Sequence, residues 1–176
     1  MAPLLPWEDA AVQSKAVDAV VHVTREFPVP REQVFSAWIE PDRITQWFRP
    51  ANGSSSAELD VRPGGRYRIS VHPSPDLPAA DIVGTYLEVV PPERLVYTFG
   101  WELPALDDLG GLADLEDRDR RLENLKDLNS LVTVRFRDLG GSTEVSITHE
   151  RLATQGLRAF HIFGWESVLD NLADVV

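Results

Sequence analysis

REFPVPREQVFSAWIEPDRITQWFRP, residues Arg25–Pro50, decides how the rest of the chain is read. Pro28 and Pro30 stop a strand, and Pro30 suits the first turn of a helix, where a missing N–H is no loss. That helix runs to about Glu40, with Val34, Phe35 and Trp38 on one side, and Pro41 opens a second short helix carrying Ile44, Trp47 and Phe48. Upstream, Val17, Ala19, Val21, Val23 and Phe27 share one phase while Asp18, His22, Thr24 and Glu26 take the other. This alternation marks a half-buried strand over 17–27. The expected opening is a strand followed by a wedge of two helices.

Downstream, six further strands are expected at about Ser54–Asp60, Gly65–Pro73, Ala80–Val90, Arg94–Trp101, Ser130–Asp138 and Ser142–Glu150. The turn signals between them are Pro63-Gly64-Gly65, the stretch from Pro73 to Pro78, Pro91-Pro92 and Gly140-Gly141. Such short spacings make antiparallel hairpins, because a parallel crossover needs a dozen or more residues. Pro63-Gly64-Gly65 lacks the Lys-Ser/Thr and helix of a phosphate loop and reads as a hairpin turn. Thr154–Val176 reads as a helix whose apolar arc holds Leu157, Phe160, Trp165, Val168, Leu169, Leu172 and Val176, with His161 near its middle. Gly164 in the same arc is expected to let the helix approach a sheet closely.

Glu102–Asn129 breaks the hairpin rhythm with nine acidic and four basic residues. Asp114–Arg118, Glu116–Arg120 and Asp117–Arg121 are acid-before-base pairs at helical spacing. A helix over about Leu112–Asp127 is expected, covering a cavity opening or forming part of a homodimer contact. Residues 1–16 hold no sustained period and read as a tail, leaving 17–176 as a single domain, in line with a total length of 176 residues.

With 43% apolar and 26% charged residues, the composition is that of a globular chain. The absence of cysteine excludes disulfides, thiolate metal sites and thiol nucleophiles. Seventeen basic against 28 acidic residues give a formal charge of −11, which repels phosphate backbones and anionic head groups and argues against nucleic acid as a partner. No apolar run approaches the roughly 20 residues that span a bilayer, and the first 15 residues lack the basic start of a secretory signal. The cytoplasm is the expected location, and no membrane insertion is expected.

The segments REFPVPREQVFSAWIEPDRITQWFRP, DVRPGGRYRISV, GTYLEVVPPERLVYTFGW, TEVSITHERL and FGWESVLDNLADVV resemble, in that order, the START-like superfamily. The branch they resemble most is that of bacterial proteins similar to the C-terminal domain of the activator of heat-shock protein 90 ATPase. The resemblance covers Val20–Val176 apart from the 102–129 insertion. It implies an α+β helix-grip fold: a seven-stranded antiparallel sheet curved around the long C-terminal helix, with an internal cavity opening near the two short helices. The residues themselves agree. Tyr67, Ile69 and Val71 share a phase, as do Tyr97, Phe99 and Trp101, and Val132, Val134 and Phe136. One sheet face is thus apolar and aromatic and needs a cover.

Candidates to line a ligand pocket of ~300–1,000 Å³ are Trp38, Trp47, Phe48, Tyr67, Ile69, Tyr86, Tyr97, Phe99, Trp101, Val134, Phe160, Trp165 and Val168; for each, plain core packing is the alternative. His149, in phase with Val145 and Ile147, and His161, mid-arc on the helix, are expected to point inward, as satisfied core groups or as groups that orient a ligand or exchange protons. His22 and His72 fall in the outward phase. Arg25, a charge in the buried phase of the first strand, either pairs with a carboxylate or anchors an anionic ligand. No metal and no cofactor are expected, since two histidines without a third ligand make no preformed site. Three functions stay open: a module binding a small hydrophobic or aromatic molecule, an enzyme of the cyclase, dehydratase or hydrolase type using His149, His161, Arg25 or a tyrosine, and a co-chaperone-like activator of a heat-shock ATPase.

Overall fold

The computed structural model describes residues 19–75, 78–102, 130–152 and 155–176. The expected N-terminal tail over 1–16 and the expected helix within 102–129 lie outside the described residues, apart from Glu102. The elements run β1 (Ala19–Phe27), α1 (Arg31–Ile39), α2 (Pro41–Trp47), β2 (Ser54–Leu59), β3 (Arg66–His72), β4 (Ala80–Val90), β5 (Arg94–Glu102), β6 (Ser130–Asp138), β7 (Thr143–Leu152) and α3 (Gln155–Ala173). All seven strands form one antiparallel sheet in the order β1-β7-β6-β5-β4-β3-β2. From β2 to β7 each strand pairs with the next in sequence, through short connections everywhere except between β5 and β6, which pair although residues 103–129 separate them. β1 is the exception, lying at the far edge beside β7, so α1 and α2 carry the chain from one edge of the sheet to the other.

Period-two alternation sets the inward face. Register places Val132 opposite His149, Val134 opposite Ile147 and Phe136 opposite Val145, and all six are buried. On the other half, Ile69 faces Ile82 and Tyr86 faces Tyr97. The helices cover this face. α3 presents Leu157, His161, Trp165, Leu169 and Leu172 to it at spacings of three and four. Trp38 and Trp47 pack with ring centroids 4.5 Å apart, and the Trp47 indole N–H donates to the Ala37 carbonyl at 2.9 Å, locking the wedge.

Three polar ties reach from the two ends of α3 to other elements. Asn171 Nδ2 donates to the Trp47 and Arg49 carbonyls, each at 3.0 Å, satisfying backbone acceptors at the end of α2. Arg158 donates to the Val20 carbonyl at 2.8 Å, and Arg25 pairs with Asp170. Of the two roles expected for Arg25, the structure thus shows the carboxylate pairing. With its side chain 37% exposed, this ion pair is a surface clamp of modest worth.

Two glycines separate close approach from open space. A Cβ on Gly84 would lie 1.9 Å from the Thr98 carbonyl oxygen and 2.6 Å from Tyr67 Cε1, so the β4–β5 ladder and the Tyr67 ring close only over a bare backbone. Gly164 differs from expectation, because a Cβ there meets nothing within 4 Å. The wide arc of α3 let sequence place Gly164 inward, whereas the buried stripe runs through positions 157, 161, 165, 169 and 172 and leaves 164 beside it. Gly164→Ala is therefore expected to raise stability by about 1 kcal/mol through helix propensity alone. Gly84→Ala is expected to cost about 2 kcal/mol or more. Urea unfolding midpoints of the two variants, moving in opposite directions, check both.

Candidate functional site

The candidate residues divide into two groups along the sheet. On the wedge side, Trp38, Phe48, Tyr67, Ile69, Tyr86, Tyr97 and Phe99, joined by Ile44 and Ile82, enclose a cavity of about 20 Å³. This is far below the ~300–1,000 Å³ expected of a ligand site and holds about one water. The rings themselves fill the space: Tyr67, Tyr86 and Tyr97 contact one another with centroids 5.4 to 5.9 Å apart. The Tyr67 hydroxyl donates to the Thr98 carbonyl at 2.8 Å. Burial raises the pKa of all three hydroxyls, so none ionises near neutral pH. Trp47 and Val134 are fully buried in the core and do not line this cavity.

The second group sits where β5, β6 and β7 meet α3. His149, fully buried, bonds Ser130 Oγ through Nε2 at 2.8 Å and accepts from the Trp165 indole N–H at Nδ1, at 3.2 Å. Ser130 in turn donates to the Phe99 carbonyl at 2.7 Å. An indole nitrogen can only donate, so Nδ1 must carry the lone pair and the proton must sit on Nε2. The result is a one-way chain, Trp165 to His149 to Ser130 to Phe99, with every group satisfied. His149 is thus a core histidine whose nitrogens are both engaged.

His161 lies against His149, with ring centroids 4.4 Å apart and planes tilted by 59°, and is 6% exposed. Among the described residues neither of its nitrogens makes a hydrogen bond. Burial pushes His149 down to about 2, with His161 adding to the effect, and burial alone lowers His161 to about 4. Both imidazoles are therefore neutral at pH 7. Around His161 runs a closed circuit of edge-to-face contacts: Phe99 to Trp101 at 6.1 Å, Trp101 to Phe160 at 6.2 Å, Phe160 to His161 at 5.3 Å and His161 to Phe99 at 5.4 Å. Trp101 Nε1 is buried without a partner; the other two such atoms among the described residues belong to Arg31 and Arg94, which have acidic partners. Phe160, placed by sequence inside a pocket, is 48% exposed, and neighbouring Phe163 is 73% exposed. Val168 is half-buried at the core's margin.

Sequence reading passed over Ser130, although its phase with Val132, Val134 and Phe136 points it inward. It also passed over Trp165 as a donor and over Asn171, which no pattern marks. A larger hollow, about 660 Å³, lies on the outer sheet face over Gly84, Thr85 and Thr98. Its wall residue Arg68 is already engaged by Asp81 and Glu102.

The model of the family described as activator of Hsp90 ATPase homolog 1-like protein matches residues 28–176, and the chain belongs to this family. A comparison with curated proteins returned no match. Among solved structures, a Chromobacterium violaceum protein is 22% identical with a TM-score of 0.67, covering 90% of this chain and 97% of its own. An Arthrobacter aurescens protein is 15% identical with a TM-score of 0.68, covering 93% and 88%. CalU16 from Micromonospora echinospora is 20% identical with a TM-score of 0.59, covering 92% and 80%. At these identities the likeness is one of fold, and that fold is the START-like helix grip. Among the described residues, no helix is long and apolar enough to cross a membrane.

The neutral histidines give acid sensitivity with a definite sign. An unfolded histidine titrates near 6.5, so below that value protons bind the unfolded chain first. Stability is full above pH ~6.5 and falls with pH until the folded group titrates, at about 4 for His161. By pH ~5 this costs about 2 kcal/mol for His161. Urea unfolding at pH ~7.5 and ~5 should show His161→Leu losing about 2 kcal/mol less than the native chain between the two. Equal losses would mean that His161 is not held neutral.

Proposed function

We propose that this protein binds a small apolar or aromatic molecule, non-covalently, at the junction of β5 with α3 where Phe160 meets Trp101 and His161. The observation that carries this reading is the pairing of the exposed Phe160 ring with the buried Trp101 N–H, which lacks a partner. A buried donor left unmade costs about 1–3 kcal/mol, and a large ring half in water forgoes part of its hydrophobic stabilisation. A ligand on Phe160 that also meets the Trp101 N–H relieves both. The wedge-side cavity is too small to be the seat without rearrangement of the tyrosines. An enzymatic reading would have to rest on His161, since His149 has no free nitrogen for proton transfer, Arg25 is paired with Asp170 and the tyrosine hydroxyls stay protonated. The activator reading is supported by the description of the family alone.

Titration with the uncharged dye Nile red is expected to give saturable fluorescence enhancement with the native chain. Phe160→Lys should weaken it about 10-fold or more while leaving the thermal midpoint near that of the native protein, because the replaced ring is half in solvent. Enhancement of equal strength in the folded variant would refer the dye to another surface and overturn the assignment. Native mass spectrometry of freshly purified protein should show a co-purified small molecule that Phe160→Lys loses.

A further inference from the structure

The site just described rests on Trp101, Phe160 and His161, and the character of its polar atoms restricts what it can hold. We propose that it takes an uncharged aromatic molecule carrying a carbonyl-type oxygen, which accepts hydrogen bonds from the Trp101 indole N–H and from His161. This inference rests on the binding reading above and adds the ligand's chemical class.

The indole nitrogen is a donor and nothing else, so its partner must be an acceptor. Neutral His161 offers one N–H and one lone pair. Both side chains border the same two phenyl rings, Phe99 and Phe160. A carbonyl oxygen has two lone pairs and can receive both donors, while the flat body attached to it lies against the exposed Phe160 ring. Offset or edge contacts between aromatic rings favour such a body over an aliphatic chain.

The described residues around the site disfavour an anion. The circuit Phe99, Trp101, Phe160 and His161 contains no fixed charge. Among the described residues, cations on the neighbouring elements are engaged elsewhere: Arg158 donates to the Val20 carbonyl and Arg25 pairs with Asp170, while Arg68, beside Glu102, is held by Asp81 and Glu102. An anion would therefore lose its hydration without gaining a counter-charge, within a chain of net charge −11 that repels it on approach. A cation could gain from the ring faces and the His161 lone pair but would leave the Trp101 N–H unpaired, since the indole has no lone pair to offer.

Fluorene and fluorenone test this directly, being flat tricycles of nearly one shape that differ by a carbonyl, with fluorene carboxylate as the charged third member. Affinities are read by quenching of intrinsic tryptophan fluorescence at pH ~7.5 and checked by calorimetry. The native chain should bind both neutral compounds, fluorenone about 10-fold more tightly than fluorene, and the carboxylate more weakly than either. Trp101→Phe and His161→Leu should each cut the fluorenone preference about 3-fold while leaving fluorene affinity in place. Because fluorene binding reports folding of the site in each variant, loss of the preference is separable from loss of structure.

Equal affinity for fluorene and fluorenone, or a preference that survives both substitutions, overturns the ligand class while the binding site itself stands. A carboxylate that binds more tightly than fluorenone overturns the argument against an anion. Failure of all three compounds to bind overturns the site and this inference together.

Discussion

The hydrogen-bond chain that starts at the Trp165 indole and ends on the Phe99 carbonyl ties α3 to β7, β6 and β5 in one directed line. Helix-on-sheet packing driven only by apolar area is tolerant of sliding, because hydrophobic burial has no direction. A buried polar chain is not tolerant: a shift of α3 by one turn would strand the Trp165 N–H and His149 Nδ1, each at the cost of an unpaired buried group. Specificity of helix placement thus comes from three polar side chains inside a core otherwise made of rings and branched aliphatics.

The ties at the ends of α3 extend the same constraint outward. Asn171 meets α2 and Arg158 meets β1, two elements at opposite ends of the route from β1 through the wedge. Because α1 and α2 cross from one sheet edge to the other, a helix anchored at both places sets how far the sheet can curl around it. The tyrosines at the wedge side then close the space, and their mutual contacts explain why so little volume remains there.

Most of the fold was legible in the sequence. Alternation in β3, β5, β6 and β7 fixed which residues face inward, and prolines 28, 30 and 41 fixed the wedge. A phase states the side of the sheet on which a residue lies; it does not state how completely neighbouring rings fill the space, so a layer of tyrosines and tryptophans looked the same whether it lined a cavity or packed solid. The arc of α3 was equally ambiguous. Its apolar residues span more than the helix buries, and only packing shows that His161 and Trp165 lie in the contact stripe while Phe160 and Gly164 fall outside it. Ser130 was readable from its phase, yet its purpose depends on a partner from another strand and a third from the helix, which no local pattern encodes.

One turn of α3 therefore holds two polar side chains in different states. Trp165 and His161 are four residues apart on the same stripe, and both meet His149. The first spends its only donor on His149, and changing it would dismantle the helix anchor. The second contributes ring contacts and, among the described residues, hydrogen-bonds through neither nitrogen, next to a Trp101 whose buried N–H has no partner. Natural cores pair nearly all their buried polar groups, and this core does so with a directed chain only a few ångströms away. The contrast sets the unpaired Trp101 N–H beside the half-exposed Phe160 ring, apart from the side chains that hold α3 in place.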